Sequence, residues 1–248
     1  MEAAKALASL SSDSKEGNGQ NHDRIAQEQF LDFARMRVYR ETLLCHAARE
    51  SVGDLRLDAF ARMRLASPAE SRPGTGADLR VFTVPGGAEM KSQHQTTVDV
   101  MEFLIQAWPE SVPFAELQGF LNAKGVAVDG ELMKLLLQLV VARMIELHAW
   151  AAPVSRAIAE RPRASEVSRQ EASVLDRTTT LLHRVLRLED PMARKFLGLL
   201  DGSRDREALL RKLRAEFPEM LEAKLAEGIE PGLRVLQREG VLLGEHFG

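Results

Sequence analysis

Candidate nucleophiles and metal ligands are sparse in this sequence. They are one cysteine, Cys45, and six histidines: His22, His46, His94, His148, His183 and His246. No two histidines stand at i, i+4 and none lies in an H-E-x-x-H arrangement, the spacing that lets two imidazoles of one helical face meet a zinc ion. Cys45 and His46 are adjacent, so on a helix their side chains diverge by about 100°. A thiol nucleophile needs a base on its own face, and the sequence places none beside Cys45. The glycine-containing stretches are Gly74–Gly76, Pro85–Gly87 and Asp201-Gly202. None has the spacing of a phosphate cradle between a buried strand and a helix. These residues predict no catalytic group, no metal and no cofactor in this chain.

The most informative polar residues lie in the segment EQFLDFARMRVYRETLLCHA, residues 28–47. As a helix it gathers Phe30, Phe33, Ala34, Leu44 and Ala47 on one face. Arg37 falls inside that face, and Glu41 follows one turn later on the same side. A guanidinium there costs desolvation unless it is paired. Two readings fit: a structural ion pair between Arg37 and Glu41, or a contact from Arg37 or Arg40 to an acidic group on a partner.

The elements that would carry such contacts are mostly helical. Aromatics are only 5% of the 248 residues, so cores must be built from Leu, Val, Ala and Met. Residues 1–24 are expected to be a flexible N-terminal segment, with a short helix at 2–10 and a polar run at 11–24. A helix over 25–48 precedes a weaker one at 57–64, and SPAESRPGTGAD reads as a turn-rich loop. Residues 79–92 predict a β-hairpin around Pro85-Gly86-Gly87. Helices then follow at 97–108, 113–124 and 130–143, the last capped by Asp129, and MIELHAW reads as a strand.

Helix, helix, helix, strand is the outline of a winged-helix unit, and it recurs. A helix over 190–200 is followed by one over 204–217 capped by Ser203, a third over 231–239 closed by Gly240, and a strand in VLLGEHF. The two halves share the order of elements rather than sequence. The fold class is therefore mostly α (α+β): a helical region with a β-hairpin and first winged-helix-like unit over 25–150, a connecting segment at 151–180, and a second winged-helix-like unit over 181–248.

Winged helices raise the possibility of a DNA-binding transcriptional regulator, which we take as the alternative reading. Charge opposes it. The net charge is −3, and across 95–150 the bases are only Lys124, Lys134 and Arg143 against seven acids. The helix that would enter the major groove, ELMKLLLQLVVAR, is almost wholly apolar, with a single Gln and a single Arg of the side chains that read bases, and reads instead as a core helix. In the second unit Arg204, Arg206, Arg211, Lys212 and Arg214 are balanced by acids. No apolar run approaches the length needed to cross a bilayer, and no targeting segment is visible. A single cysteine fits a cytoplasmic setting.

Residues 28–45 resemble the opening motif of the methyltransferase regulatory domain family, roughly E-Q-Y/F-x-D-F-x-R-N-R-x-F-R-x-T-L-L-C. Glu28, Gln29, Phe30, Asp32, Phe33, Arg35, Arg37, Arg40, Thr42, Leu43, Leu44 and Cys45 match it, while Met36 replaces an asparagine and Tyr39 a phenylalanine. LASP (65–68), the 82–87 turn, AWPESVPFAEL (107–117), IELHAW (145–150), ERPRAS (160–165) and LLDGSRDREALL (199–210) follow in the family's order. The resemblance is to the C-terminal, non-catalytic region of bacterial S-adenosylmethionine (SAM)-dependent methyltransferases, similar to rickettsial-type protein lysine methyltransferases. It implies a regulatory or substrate-presenting region that acts by protein–protein contact. Its implied partners are a SAM-dependent catalytic domain, in cis or in trans, and a protein substrate, with a homodimer as a further option. The family's catalytic domain is missing from this sequence, so the resemblance transfers no catalytic residue.

Overall fold

A computed structural model describes residues 57–76 and 79–244, with residues 26, 29–34, 36 and 46 of the N-terminal part. The chain divides into two compact units, Met1–Asp54 and Leu55–Gly248. In the first, residues 29–34 are helical, as the periodicity predicts. Phe30 and Phe33 are exposed there. The predicted site residues Arg37, Arg40 and Glu41, and Cys45 with them, lie outside the described residues.

The second unit begins with a 3-10 turn, Leu57–Arg62, where the sequence predicted a weak helix. Strand β1 (Arg64–Ala66) follows. The stretch read as a loop supplies a strand instead, β2 (Glu70–Pro73), which pairs antiparallel with β3 (Arg80–Thr83). All four β2 residues are exposed. An edge strand tolerates that composition, because Pro73 sits at its end and a missing N–H there costs no interior bond. β3 also pairs with β4 (Glu89–Ser92) across the predicted Pro85-Gly86-Gly87 turn. Gly86 and Gly87 both take positive φ, which only glycine adopts without strain.

Helices α1 (Gln95–Ala107), α2 (Phe114–Ala123) and α3 (Gly130–Val141) then build the first winged-helix fold. His94 caps α1 through its ring, and Asp129 caps α3 by accepting from the N–H groups of Glu131 and Leu132. Short strands β5 (Val112–Pro113) and β6 (Glu146–His148) flank β1, giving the order β5-β1-β6. Leu65, Met101, Leu104, Leu117, Leu121, Leu136 and Ile145 are fully buried beneath them. Each such side chain contributes about 1.5–3 kcal/mol of transfer free energy.

The second half repeats this topology. Residues 151–180 contribute α4 (Glu166–Val174) and β7 (Arg177–Thr179), which pairs with β8 (Val185–Arg187). Ala164 and Ala172 from this stretch lie in the second core. Helices α5 (Pro191–Leu199), α6 (Arg206–Glu216) and α7 (Glu222–Arg238) complete it. Arg163 and Ala164 bridge to Asp201 on one side and Leu242 on the other, as β1 bridges to β5 and β6.

The N-terminus of α6 corrects the predicted cap. Asp205 accepts from Ala208 N–H, while Ser203 turns back and donates both its hydroxyl and its N–H to Asp201. α7 corrects a second expectation. It starts at Glu222, well before Pro231, and runs through the proline. Pro231 forgoes one helical hydrogen bond, a cost of about 3 kcal/mol. Leu225, Ile229, Leu233 and Leu236, buried along one stripe, outweigh it, and the proline ring sits on the exposed side. Of the predicted last strand, Leu242 and Leu243 form bridges, and residues 245–247 lie outside the described residues.

Candidate interaction surfaces

α3 is the helix that a DNA-binding winged helix would place in the groove. Leu132, Leu136 and Leu139 enter the core. Met133, Leu135, Leu137 and Val140 pack partly against it, and Val141 stands exposed. The helix is thus a core helix whose exposed side chains are Glu131, Lys134, Gln138 and Val141. Two of the three cations of this region are neutralised: Lys124 by Asp99 at 2.5 Å and Lys134 by Glu131 at 2.7 Å.

A cleft of about 520 Å³ separates the start of α1 from α3, lined in part by His94, Asp129, Glu131 and Lys134. These groups are already engaged. The His94 ring meets the N–H and hydroxyl of Thr97, and the Asp129 carboxylate holds the first turn of α3. Among the described residues no group of His, Cys, Asp and Glu could hold a metal ion.

In the second winged helix the five basic residues singled out from sequence are mostly paired. Arg204 meets Asp201, Arg206 meets Glu230, Arg211 meets Glu207 and Arg214 meets Glu222. Cations held this way are poorly placed to replace the counterions of a phosphate backbone. Asp201 is drawn furthest toward its ionised form. Hydrogen bonds from Ser203 outweigh partial burial, and with Arg204 beside it its pKa falls to about 2.

Beside these helices lie two openings that the sequence did not signal. One is a cleft of about 400 Å³ between α4 and α5, lined by Ala172 and Ser173 on one side and Arg194, Lys195 and Gly198 on the other. The other is an apolar crevice of about 120 Å³ between α5 and α7, walled by Met192, Phe196, Leu213 and Ile229 and floored by Gly228 and Gly232.

A polar junction fastens the two winged helices to one another. The Trp108 indole N–H donates to the Arg238 carbonyl at 2.7 Å. The Arg238 guanidinium in turn donates to the carbonyls of Pro68 and Ala69. Arg184, at the tip of the β7–β8 hairpin, stacks 4.9 Å from the Trp108 ring and pairs with Glu146 of β6. Burial opposes ionisation of Glu146, but His148 and Arg184 beside it prevail and hold its carboxyl below the usual range. These partners come from five separate segments of the chain, and no local sequence pattern announces them.

The fold defined by these features is a pair of winged helices sharing one polar junction. Residues 160–220 match the model of the PKMT C-terminal winged helix domain, which bears out the resemblance drawn from the sequence motifs. Among solved structures, the chain is similar to PKMT2 from Rickettsia typhi, with a TM-score of 0.79 at 13% identity over 97% of this chain and 53% of that one. The same protein in complex with AdoHcy gives 0.77 at 14% identity over 97% and 52%. The likeness is one of fold, and the chain spans about half the length of PKMT2. No curated protein matches the sequence.

Proposed function

We propose that this chain is a non-catalytic regulatory or substrate-presenting region that works beside a SAM-dependent protein methyltransferase domain, in cis or in trans, by protein–protein contact in the cytoplasm. The observation that carries this reading is the PKMT winged-helix match at 160–220, within a fold likeness covering 97% of the chain and only half of PKMT2. The surfaces agree with it. The would-be recognition helix turns its leucines into the core, and its exposed side chains are Glu131, Lys134, Gln138 and Val141, a face too poor in base-reading and phosphate-holding groups for a nucleic-acid groove.

The test is reconstitution. The half of PKMT2 that this chain does not cover would be produced separately and assayed for transfer of labelled methyl from SAM to a lysine-bearing protein, with and without this chain. Stimulation by the added chain is the expected result. Calorimetry of the chain alone with SAM is the companion measurement. Stoichiometric heat there would overturn the non-catalytic reading.

A further inference from the structure

We propose that the cleft between α4 and α5 receives an acidic segment of a protein partner, with a carboxylate on Arg194 and a neighbouring apolar side chain in the crevice on the other flank of α5. The proposal rests on the reading that the chain acts by protein contact, and it assigns that contact a place and a chemistry.

Charge complementarity carries it. The cleft lining holds two cations, Arg194 and Lys195, and no acid. Lys195 is held by Glu216 at 2.8 Å, whereas Arg194 has no carboxylate partner among the described residues. This contrasts with α6, where Arg206, Arg211 and Arg214 each have one. A half-buried guanidinium facing an acid-free cleft favours an incoming carboxylate, in a bidentate, charge-assisted bond.

The space is shaped by small residues. Ala172 and Gly198 leave room beside Arg194. Across α5, Gly228 and Gly232 open a crevice whose remaining walls are apolar apart from Lys224. Its volume, about 120 Å³, suits one leucine-sized side chain. The helical positions of α5 divide accordingly: Met192, Ala193 and Phe196 line the crevice, and Pro191, Arg194 and Gly198 line the cleft. An acidic segment with one bulky apolar residue can straddle α5 and use both, an anchor in a pocket beside a charged rim.

The experiment is a titration of the isotope-labelled full chain with the peptide acetyl-Glu-Glu-Leu-Glu-Glu-amide, followed by amide chemical shifts. Shifts are expected at Ala172, Ser173, Gly198 and Gly228. Arg194→Glu should weaken binding by about tenfold or more, while Arg211→Glu, on α6, should leave it unchanged. Gly228→Leu fills the crevice and should also weaken binding. An added Cβ there meets nothing within 4 Å, and an unchanged amide spectrum away from the crevice checks that this variant is folded. The proposal is overturned if these amides do not move, if Arg194→Glu binds as well as the parent, or if the glutamine version of the peptide binds equally. Equal binding of inorganic phosphate would show a simple anion site and overturn it too. The titration uses this chain alone, so its failure is separable from a failure of methyltransferase reconstitution.

Discussion

The indole N–H of Trp108 donates to the main-chain carbonyl of Arg238, joining the end of α1 in the first winged helix to the end of α7 in the second. Trp108 is largely buried, so this bond has little competition from solvent. Trp108→Phe would leave the Arg238 carbonyl without its donor and weaken the stacking of Arg184. We expect a loss of about 1–2 kcal/mol, read as a lower urea midpoint at constant slope. An unchanged midpoint would mean that the junction contributes nothing to stability.

The two third helices end alike, with unlike residues. Arg143 follows α3 at φ 59° and Gly240 follows α7 at φ 70°. The N–H of Met144 reaches back to Leu139 just as that of Val241 reaches back to Leu236. Arg143 bears the strain that Gly240 avoids. Arg143→Gly is expected to stabilise by about 0.5–1 kcal/mol. Gly240→Ala should destabilise by more than that, because its Cβ would also lie 2.7 Å from Leu182. Thermal unfolding of both variants checks the opposite signs.

Acid should act through Asp201. Its carboxyl is held down to about 2 by Ser203 and Arg204, below the range of an unfolded aspartate. A depressed pKa stabilises above about pH 4, and that contribution is lost as the pH falls from about 4 toward 2. The side chain is 31% exposed, so after solvent screening the contribution is about 1 kcal/mol. Asp201→Asn should be less stable than the parent at pH 6, and the gap should close on acidification. A gap that is constant with pH would rule out this linkage.

Duplex DNA provides the sharpest contrast between the two winged-helix readings. With Lys124, Lys134, Arg204, Arg206, Arg211 and Arg214 paired to carboxylates, most of the cations singled out in the two winged helices are poorly placed to displace phosphate counterions. A labelled duplex at about 50 mM salt should show no saturable binding. Saturable binding that weakens steeply with salt would restore the regulator reading.

Local rules explain which parts of this fold were legible in the sequence. Asp129 and Asp190 begin helices and Gly240 ends one, because caps and left-handed termini act within a few residues. Ser203 misled for the same reason, since two good capping residues stand two positions apart and Asp201 captures the first. Pro231 misled because burial of Leu225 and Ile229, a tertiary effect, overrides the local signal for a helix start. β2 was missed because Glu70–Pro73 is polar throughout and is a strand only through its pairing with β3. The junction and the Arg194 cleft assemble from distant elements, so periodicity contains no trace of either.

In each winged helix the central strand segment, Arg64–Ala66 or Arg163-Ala164, comes before both of its pairing partners in the chain. Arg64 must wait for Pro113 and His148, and Ala164 for Leu242. Between them lie a three-stranded sheet and three helices in the first half, and a hairpin and four helices in the second, which form quickly from local contacts. Closure of such sheets is governed by long loops rather than by helix formation. Each half should therefore pass through a stage in which its helices are present while its central strand has unpaired edges, a stage exposed to strand addition by other chains.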